Sequence, residues 1–237
     1  MHFSMSQKTQ FEADTALWLM RHEFGIQSEV GPAAWRGTAV EMGCNAIFDG
    51  NDPLETAERV FDSEAGDRSD EKIDAERAKL PKYLANLTPY IKESEWPTPK
   101  RQIKVEYTFS GMSIPTIGYI DYLWPEWHMD LKTRASMPPH GVGTAPHIAQ
   151  VAFYGLCVGL GGSLLYVTPG KDKTPLLCPI DDDMAAAANK RTETTFQAME
   201  RVLEMGFEKA MKLFPPRDMT GFMWDDATRK KATEIWY

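Results

Sequence analysis

The sequence predicts an α/β fold in which helices flank a central mixed β-sheet, and this sheet contains an antiparallel meander. Apolar residues recur with helical spacing in the first and last thirds of the chain, and they alternate with a period of two in the middle. The composition agrees, because 43% hydrophobic and 25% charged residues in a chain of 237 are typical of a globular protein with a buried core.

Charge and cysteine content exclude several classes of protein. The 26 Lys and Arg against 34 Asp and Glu give a net charge of -8, which argues against binding nucleic acid through overall charge. A local basic groove or a metal site remains compatible with this balance. No apolar run approaches the roughly 18 residues of a membrane span, and no signal peptide is visible, so we expect a cytoplasmic protein without membrane contact.

The first part of the chain predicts helices. One covers residues 11–24 and ends before Gly25, and a second begins near Pro32 and contains Glu41. Residues 49–95 are polar and acidic but keep recurring apolar positions. We interpret them as short helices that elaborate the main fold rather than as an independent domain.

The middle of the chain predicts three strands. Residues 102–109 alternate between polar and apolar side chains, which is typical of a half-buried strand. Residues 116–124 and 127–134 form two further strands, joined by a turn in which Pro125 suits the second position. This order predicts the antiparallel meander.

The last part returns to helical spacing. We predict a helix over residues 144–160, a buried strand over 163–168 and a long helix over 181–213. The whole chain, residues 1–237, is expected to form one domain. Within it, 49–95 is the acidic helical elaboration, and 181–237 is the C-terminal helix with an aromatic tail.

The predicted turn fixes the register of the two strands that it joins. If Trp124 and Trp127 flank the turn, Asp121 lies opposite Asp130, and Lys132 projects from the same face because it is two residues further on. Two carboxylates and an amine would therefore share one face of the sheet.

Opposed carboxylates need a physical explanation. Like charges across a strand pair are destabilising, and one pKa would rise unless a cation neutralises both groups. Oxygen ligands favour Mg²⁺, with Mn²⁺ as a substitute, whereas zinc would need His or Cys. His128 is nearby in sequence, but no second His or Cys stands at ligand spacing. We therefore expect a site for a hard divalent cation.

These residues also carry a resemblance to a known family. Gly118-Tyr-Ile-Asp121 followed by Asp130-Leu-Lys132-Thr133 resembles the core signature of the PD-(D/E)XK nuclease superfamily, in its RecB-like, phage-type exonuclease branch. The segments from Gly37 to Glu41 and from Gln150 to Tyr154 resemble the outer motifs of that branch, in the same order. The resemblance implies a restriction-endonuclease-like core.

The resemblance also implies roles for individual residues. The implied metal ligands are Glu41, Asp121, Asp130 and the backbone carbonyl of Leu131; the catalytic residues are Asp121, Asp130 and Lys132; and Gln150, Tyr154, Thr133 and Arg134 line the DNA path. Some members of the branch hold an iron–sulfur cluster through one early and three late cysteines. Because Cys44, Cys157 and Cys178 do not follow that pattern, we expect no cluster.

The function predicted in this way is a metal-dependent DNA exonuclease, acting at DNA ends in phage-type recombination or repair. A single-strand annealing or recombination protein is the implied partner, and a homo-oligomer is compatible with the sequence. A structure-specific or flap endonuclease on the same core is the first alternative. A catalytically silent DNA-binding or assembly module is the second.

Some charged residues also admit purely structural interpretations. Glu41 could pair with Arg36 on its own helix, which would remove it from a metal site. Glu106 lies on the first predicted strand and could be a further ligand, but we favour an ion pair with Lys104. These pairs are tested by the structure.

Overall fold

The computed structural model describes residues 1–26, 30–171, 173–216, 218–221 and 223–236. It has the predicted α/β architecture, a mixed sheet of five strands flanked by helices. Within these ranges, no helix combines the length and the apolar character that crossing a membrane requires.

The boundaries of the elements follow the chain order. The helices are α1 (Met5–Ala13), α2 (Thr15–Phe24), α3 (Pro32–Asp49), α4 (Pro53–Ala65), α5 (Glu71–Arg77), α6 (Leu80–Glu93), α7 (Ala145–Val158), α8 (Asp182–Glu204), α9 (Phe207–Leu213) and α10 (Asp226–Trp236). The strands are β1 (Lys100–Tyr107), β2 (Thr116–Leu123), β3 (Trp127–Thr133), β4 (Gly161–Val167) and β5 (Leu176–Ile180).

The sheet has the strand order β1-β2-β3-β4-β5. β2 pairs antiparallel with β3, with Tyr122 opposite Met129 and Leu123 opposite His128, so the predicted hairpin register is confirmed. β3 and β4 are parallel, and β5 returns antiparallel to β4. The sequence analysis missed β5, a short strand at the edge of the sheet that contains Pro179.

The chain divides into two compact units. The terminal unit comprises Met1–Glu29, Lys104–Gly118 and Ala186–Tyr237, and the central unit comprises Val30–Ile103 and Tyr119–Ala185. Each unit is assembled from segments that are distant in the sequence.

The core of the central unit joins α3, α4 and α6 to the middle strands. Its largest buried side chains include Trp35, Phe61, Leu80, Tyr83, Leu87, Tyr122, Met129 and Leu165. The acidic segment 49–95 is helical as predicted, and its apolar side chains form a large part of this core. Its charges remain at the surface, where Arg77 pairs with Asp62 at 2.7 Å.

The terminal unit corrects two helix boundaries. The predicted helix over 11–24 is broken at Asp14, because the Asp14 carboxylate accepts a hydrogen bond from the Leu17 N–H and begins α2. The predicted helix over 181–213 is broken at Gly206, whose φ of 79° cannot continue an α-helix.

The aromatic tail contributes to the core of the terminal unit. Trp224 and Ala232 are buried against Leu17 and Met20 of α2. Phe222 and Tyr237, which belong to the predicted tail, lie outside the described residues.

Candidate active site

The two predicted aspartates lie on neighbouring strands of the central unit. Continuing the β2–β3 register by one residue places Asp121 opposite Asp130. Asp121 is half-buried, and the side chain of Asp130 is only 1% exposed. This extended register puts the two aspartates opposite each other, and Asp130 is far more buried than a residue on the solvent-facing side of a hairpin would be.

The backbone changes its hydrogen bonding at this point. The Leu131 N–H donates to the Asp121 carboxylate at 3.0 Å, whereas continued ladder pairing would direct this N–H at the carbonyl of Ile120. Because the N–H and C=O of one strand residue point to the same side, the Leu131 carbonyl also points towards β2. This is the side from which a ligand shared with Asp121 would approach.

Lys132 links the strands to α7. Its Nζ lies 2.6 Å from Oδ2 of Asp130 and donates to Oε1 of Gln150 at 3.0 Å. The Gln150 amide in turn donates to the Tyr154 hydroxyl at 2.8 Å. The pair Asp130 and Lys132 on β3 and the pair Gln150 and Tyr154 on α7 thus form one continuous polar chain.

Asp130 keeps an unused acceptor. Its Oδ1 is buried and has no hydrogen-bond partner among the residues that the structure describes. A buried carboxylate oxygen without a donor is costly, and in native proteins such an atom commonly marks a place for water or an ion. The unsatisfied oxygen is therefore an acceptor to which a bound water or ion could attach.

Glu41 reaches the cluster from α3. The Gln102 amide donates to Oε1 of Glu41 at 2.6 Å and to Oδ1 of Asp121 at 3.3 Å. Arg36 does not form the alternative pair with Glu41, because it binds Glu76 instead. Glu41 is therefore free to belong to the acidic cluster.

The proposed pair on the first strand is confirmed. Lys104 and Glu106 lie 3.7 Å apart and are both more than half exposed. The structure thus supports the structural interpretation of Glu106.

The electrostatics of the cluster reflect crowded negative charge. Burial raises the pKa of Asp121 well above its ordinary value, and the nearby Asp130 and Glu41 raise it further. Burial likewise raises the pKa of Glu41, although the hydrogen bond from Gln102 opposes this shift. A positive charge placed beside these two carboxyl groups would therefore be stabilised.

Lys132 supplies part of that charge. Burial alone would lower the pKa of its amine, but the attraction of Asp130 and Asp121 outweighs burial, so the pKa is raised. Lys132 therefore stays protonated at neutral pH. One amine cannot balance three carboxylates, so the remaining negative charge adds to burial in raising the pKa values of Asp121 and Glu41.

Thr133 and Arg134 lie at the end of β3 and make structural contacts. The Thr133 hydroxyl accepts a weak hydrogen bond from Arg36 at 3.4 Å. The backbone of Arg134 donates to Val167 at 3.0 Å and accepts from the Tyr83 hydroxyl at 2.9 Å. Their assignment to a DNA path stays a prediction.

Two histidines lie beside the cluster. His128 shares the face of Asp130, is fully buried, and has neither ring nitrogen bonded to any described residue. Burial lowers its pKa to about 4, so the ring is neutral. On α7, His147 Nδ1 lies 2.8 Å from the Tyr166 hydroxyl, and burial lowers its pKa to about 4 as well.

Sequence reasoning missed Gln102 and His147, and it considered His128 only as a zinc ligand. The period-two pattern placed Gln102 on a polar strand face but gave no sign of its contact with two acids, because that contact joins three elements. The spacing of two residues before Asp130 on β3 places His128 on the same face as Asp130. His147 could have been found from its position three residues before Gln150 on α7.

A divalent cation fits this donor set by chemistry. Carboxylate and carbonyl oxygens are the ligands that Mg²⁺ prefers, and the bare Oδ1 of Asp130 is available. Within the described ranges, no three His, Cys, Asp or Glu side chains are arranged as a ready metal-binding group. Gln102 donates to both Glu41 and Asp121, and Lys132 pairs with one oxygen of Asp130.

The cysteines take no part in these contacts. Cys44, Cys157 and Cys178 are free thiols, and Cys44 and Cys178 are buried. Burial raises the pKa of Cys44 and that of Cys157 to about 12, so neither is a ready thiolate.

Comparison with known proteins supports the fold. No protein-family model matches the sequence, and no curated protein matches it significantly. A solved structure named "Putative exonuclease", from Eubacterium rectale, matches with a TM-score of 0.67 at 14% identity, covering 97% of this chain and 87% of its own. A second solved structure, SSO0001, has 14% identity over 79% of this chain and 87% of its own, but its TM-score of 0.31 is too low to support an argument.

Proposed function

We propose that this protein is a metal-dependent deoxyribonuclease of the PD-(D/E)XK type that hydrolyses phosphodiester bonds at DNA ends. The observation that carries the proposal is the Lys132 amine held between Asp130 and Gln150, with Asp121 and Glu41 close by. The name of the Eubacterium rectale protein, which shares the fold, agrees with a nuclease activity.

The acidic residues have a defined task in this proposal. Asp121, Asp130, Glu41 and the Leu131 carbonyl would hold Mg²⁺, or Mn²⁺ in its place. When bound, the cation lowers the pKa of a coordinated water and offsets charge on the phosphate. The unsatisfied Oδ1 of Asp130 and the raised pKa values of Asp121 and Glu41 support this assignment.

Lys132 acts from the protein side. Its protonated amine can orient an attacking water or offset the charge that develops on the phosphoryl oxygens. Asp130 and Gln150 fix the amine from two directions, so it needs little reorganisation when the substrate reacts.

The α7 helix would position the substrate. Gln150 and Tyr154 are four residues apart, so they share one helix face, and their hydrogen bond holds both side chains in place. Thr133, the last residue of β3, and Arg134, which follows it, would contact the DNA backbone. Action at DNA ends, a role in recombination or repair, and a single-strand annealing partner follow from the family resemblance.

The decisive experiment compares DNA ends directly. Linear duplex labelled separately at each 5′ and 3′ end, and a closed circular duplex of the same sequence, are incubated with Mg²⁺, Mn²⁺, Ca²⁺ or excess chelator. We expect release of mononucleotides or short products from the linear DNA with Mg²⁺ or Mn²⁺, and none with Ca²⁺ or chelator.

Three other outcomes would contradict parts of this proposal. Cleavage of the circular substrate would identify an endonuclease, and full activity in chelator would overturn the metal dependence. DNA binding without turnover in any metal would identify the silent binding module.

A further inference from the structure

Gln102 is the most unusual residue of the acidic cluster. It lies within β1, yet its φ is 49°, a left-handed conformation that non-glycine residues rarely adopt. Such conformations cost free energy, and they are retained where the surrounding structure holds them for a purpose.

The Gln102 side chain joins three separate elements. From β1, its Nε2 donates to Glu41 on α3 at 2.6 Å and to Asp121 on β2 at 3.3 Å. A primary amide has two N–H donors, so this one group can satisfy both carboxylates at once. The amide thus links two of the proposed metal ligands.

We propose that Gln102 is a positioning residue that bridges Glu41 and Asp121 in the metal-free protein and yields these carboxylates when a divalent cation binds. This inference rests on the proposed function, because it assumes that the carboxylates are metal ligands. The bridge keeps the two acids ordered and stabilises their charge by hydrogen bonding in the metal-free protein.

The bridge has a measurable consequence for metal affinity. A cation must break two hydrogen bonds to charged acceptors before it binds both carboxylates, and such bonds are stronger than neutral ones. Removing the amide raises the free energy of the metal-free state more than that of the loaded state. The variant should therefore bind the cation more tightly, by about tenfold.

The test uses a matched pair of glycine variants. Gln102→Gly removes the amide and suits the left-handed backbone. Glu95→Gly is the control, because Glu95 also has a positive φ, of 53°, in the central unit, and none of the hydrogen bonds described for the site involves it. Mn²⁺ dissociation constants are measured by electron paramagnetic resonance, and melting temperatures are recorded in chelator and in saturating Mn²⁺.

We expect Gln102→Gly to bind Mn²⁺ about tenfold more tightly and to gain more in melting temperature from Mn²⁺ than wild type does. Glu95→Gly should match wild type in both measurements. Gln102→Glu, which replaces the donor by a third carboxylate, should melt lower than wild type in chelator and also bind Mn²⁺ more tightly.

The outcomes separate this inference from the proposed function. If wild type binds no Mn²⁺, the metal-dependent function fails, and this inference fails with it. If wild type binds Mn²⁺ and Gln102→Gly has unchanged affinity, only the bridging role is overturned. Weaker binding by Gln102→Gly would also overturn it, because Gln102 would then be a ligand rather than a group that the cation displaces.

Discussion

The pKa values of two aspartates, Asp225 in the terminal unit and Asp121 in the central unit, are shifted in opposite directions. In the terminal unit, Asp225 accepts hydrogen bonds from Arg21, from the Thr228 N–H and from the Thr228 hydroxyl, each at 2.8 Å. Burial alone would raise the pKa of Asp225, but these donors outweigh burial, so the pKa is lowered. In the central unit, the pKa of Asp121 is raised by burial and by its acidic neighbours.

The difference separates a structural carboxylate from a candidate functional one. Asp225 precedes α10 and accepts a hydrogen bond from the Thr228 N–H in its first turn. It also binds Arg21 of α2, whose positive charge balances that of the carboxylate. The central cluster places three acids around one amine and leaves an oxygen of buried Asp130 without a partner among the described residues. Unbalanced charge of this kind lowers stability, and functional sites commonly retain it.

The largest expected effect concerns catalysis. Asp130→Ala and Lys132→Ala should each reduce nuclease turnover by at least about 10²-fold, because both remove groups that stabilise charge in the reaction. Turnover is measured on end-labelled linear duplex with Mg²⁺, and circular dichroism checks the fold. Asp225→Asn serves as the control and should keep a near-normal rate. A near-normal rate in either site variant would show that these residues are structural.

The next effect concerns stability and its pH dependence. Asp225→Asn should lower the free energy of unfolding at pH 7 by about 1.5 kcal/mol, because it removes the charged partner of Arg21. The folded pKa of Asp225 is depressed, so its contribution is present above the unfolded value of about 3.9 and is lost as pH falls through the folded value. Urea unfolding at pH 7 and pH 3 measures this, and an equal deficit at both would contradict it.

A smaller effect is expected on α7. Gln150→Ala and Tyr154→Phe should reduce the rate or DNA affinity by about tenfold, less than the changes at Asp130 and Lys132, because they position groups rather than supply charge. Leu156→Ala, on the same helix and 38% exposed, is the control. If both variants behave like this control, the resemblance to the helical motif is accidental.

The smallest expected effect concerns the repulsion between the carboxylates of Asp121 and Asp130. Asp121→Asn removes one of the opposed charges, so in chelator the variant should be about 1 kcal/mol more stable than wild type. Mg²⁺ should raise the wild-type melting temperature by mass action, and it should raise that of the variant less. Thermal melting at neutral pH and fixed ionic strength measures both. A variant that melts lower in chelator would mean that Asp121 is held by favourable contacts, as Asp225 is.

The sequence by itself determined the local parts of this structure. Alternation predicted a strand over 102–109, which overlaps β1 but lies two residues later at each end. The turn between Trp124 and Trp127 predicted the register of β2 and β3, because a hairpin's pairing depends on neighbouring residues. The same register places Asp121 opposite Asp130. The roles assigned to Glu41 and Gln150 came from resemblance, and the contacts place both residues at the cluster.

Only the tertiary structure decided the features that depend on distant segments. The edge strand β5, the full burial of Asp130 beneath neighbouring elements and the large share of residues 49–95 in the core all arise from packing between parts of the chain that no local pattern connects. The contact of Gln102 with Glu41 and Asp121 has the same origin. Periodicity reports which face a residue occupies, whereas the identity of its partners is set by long-range packing, whose free energy overrides local preference.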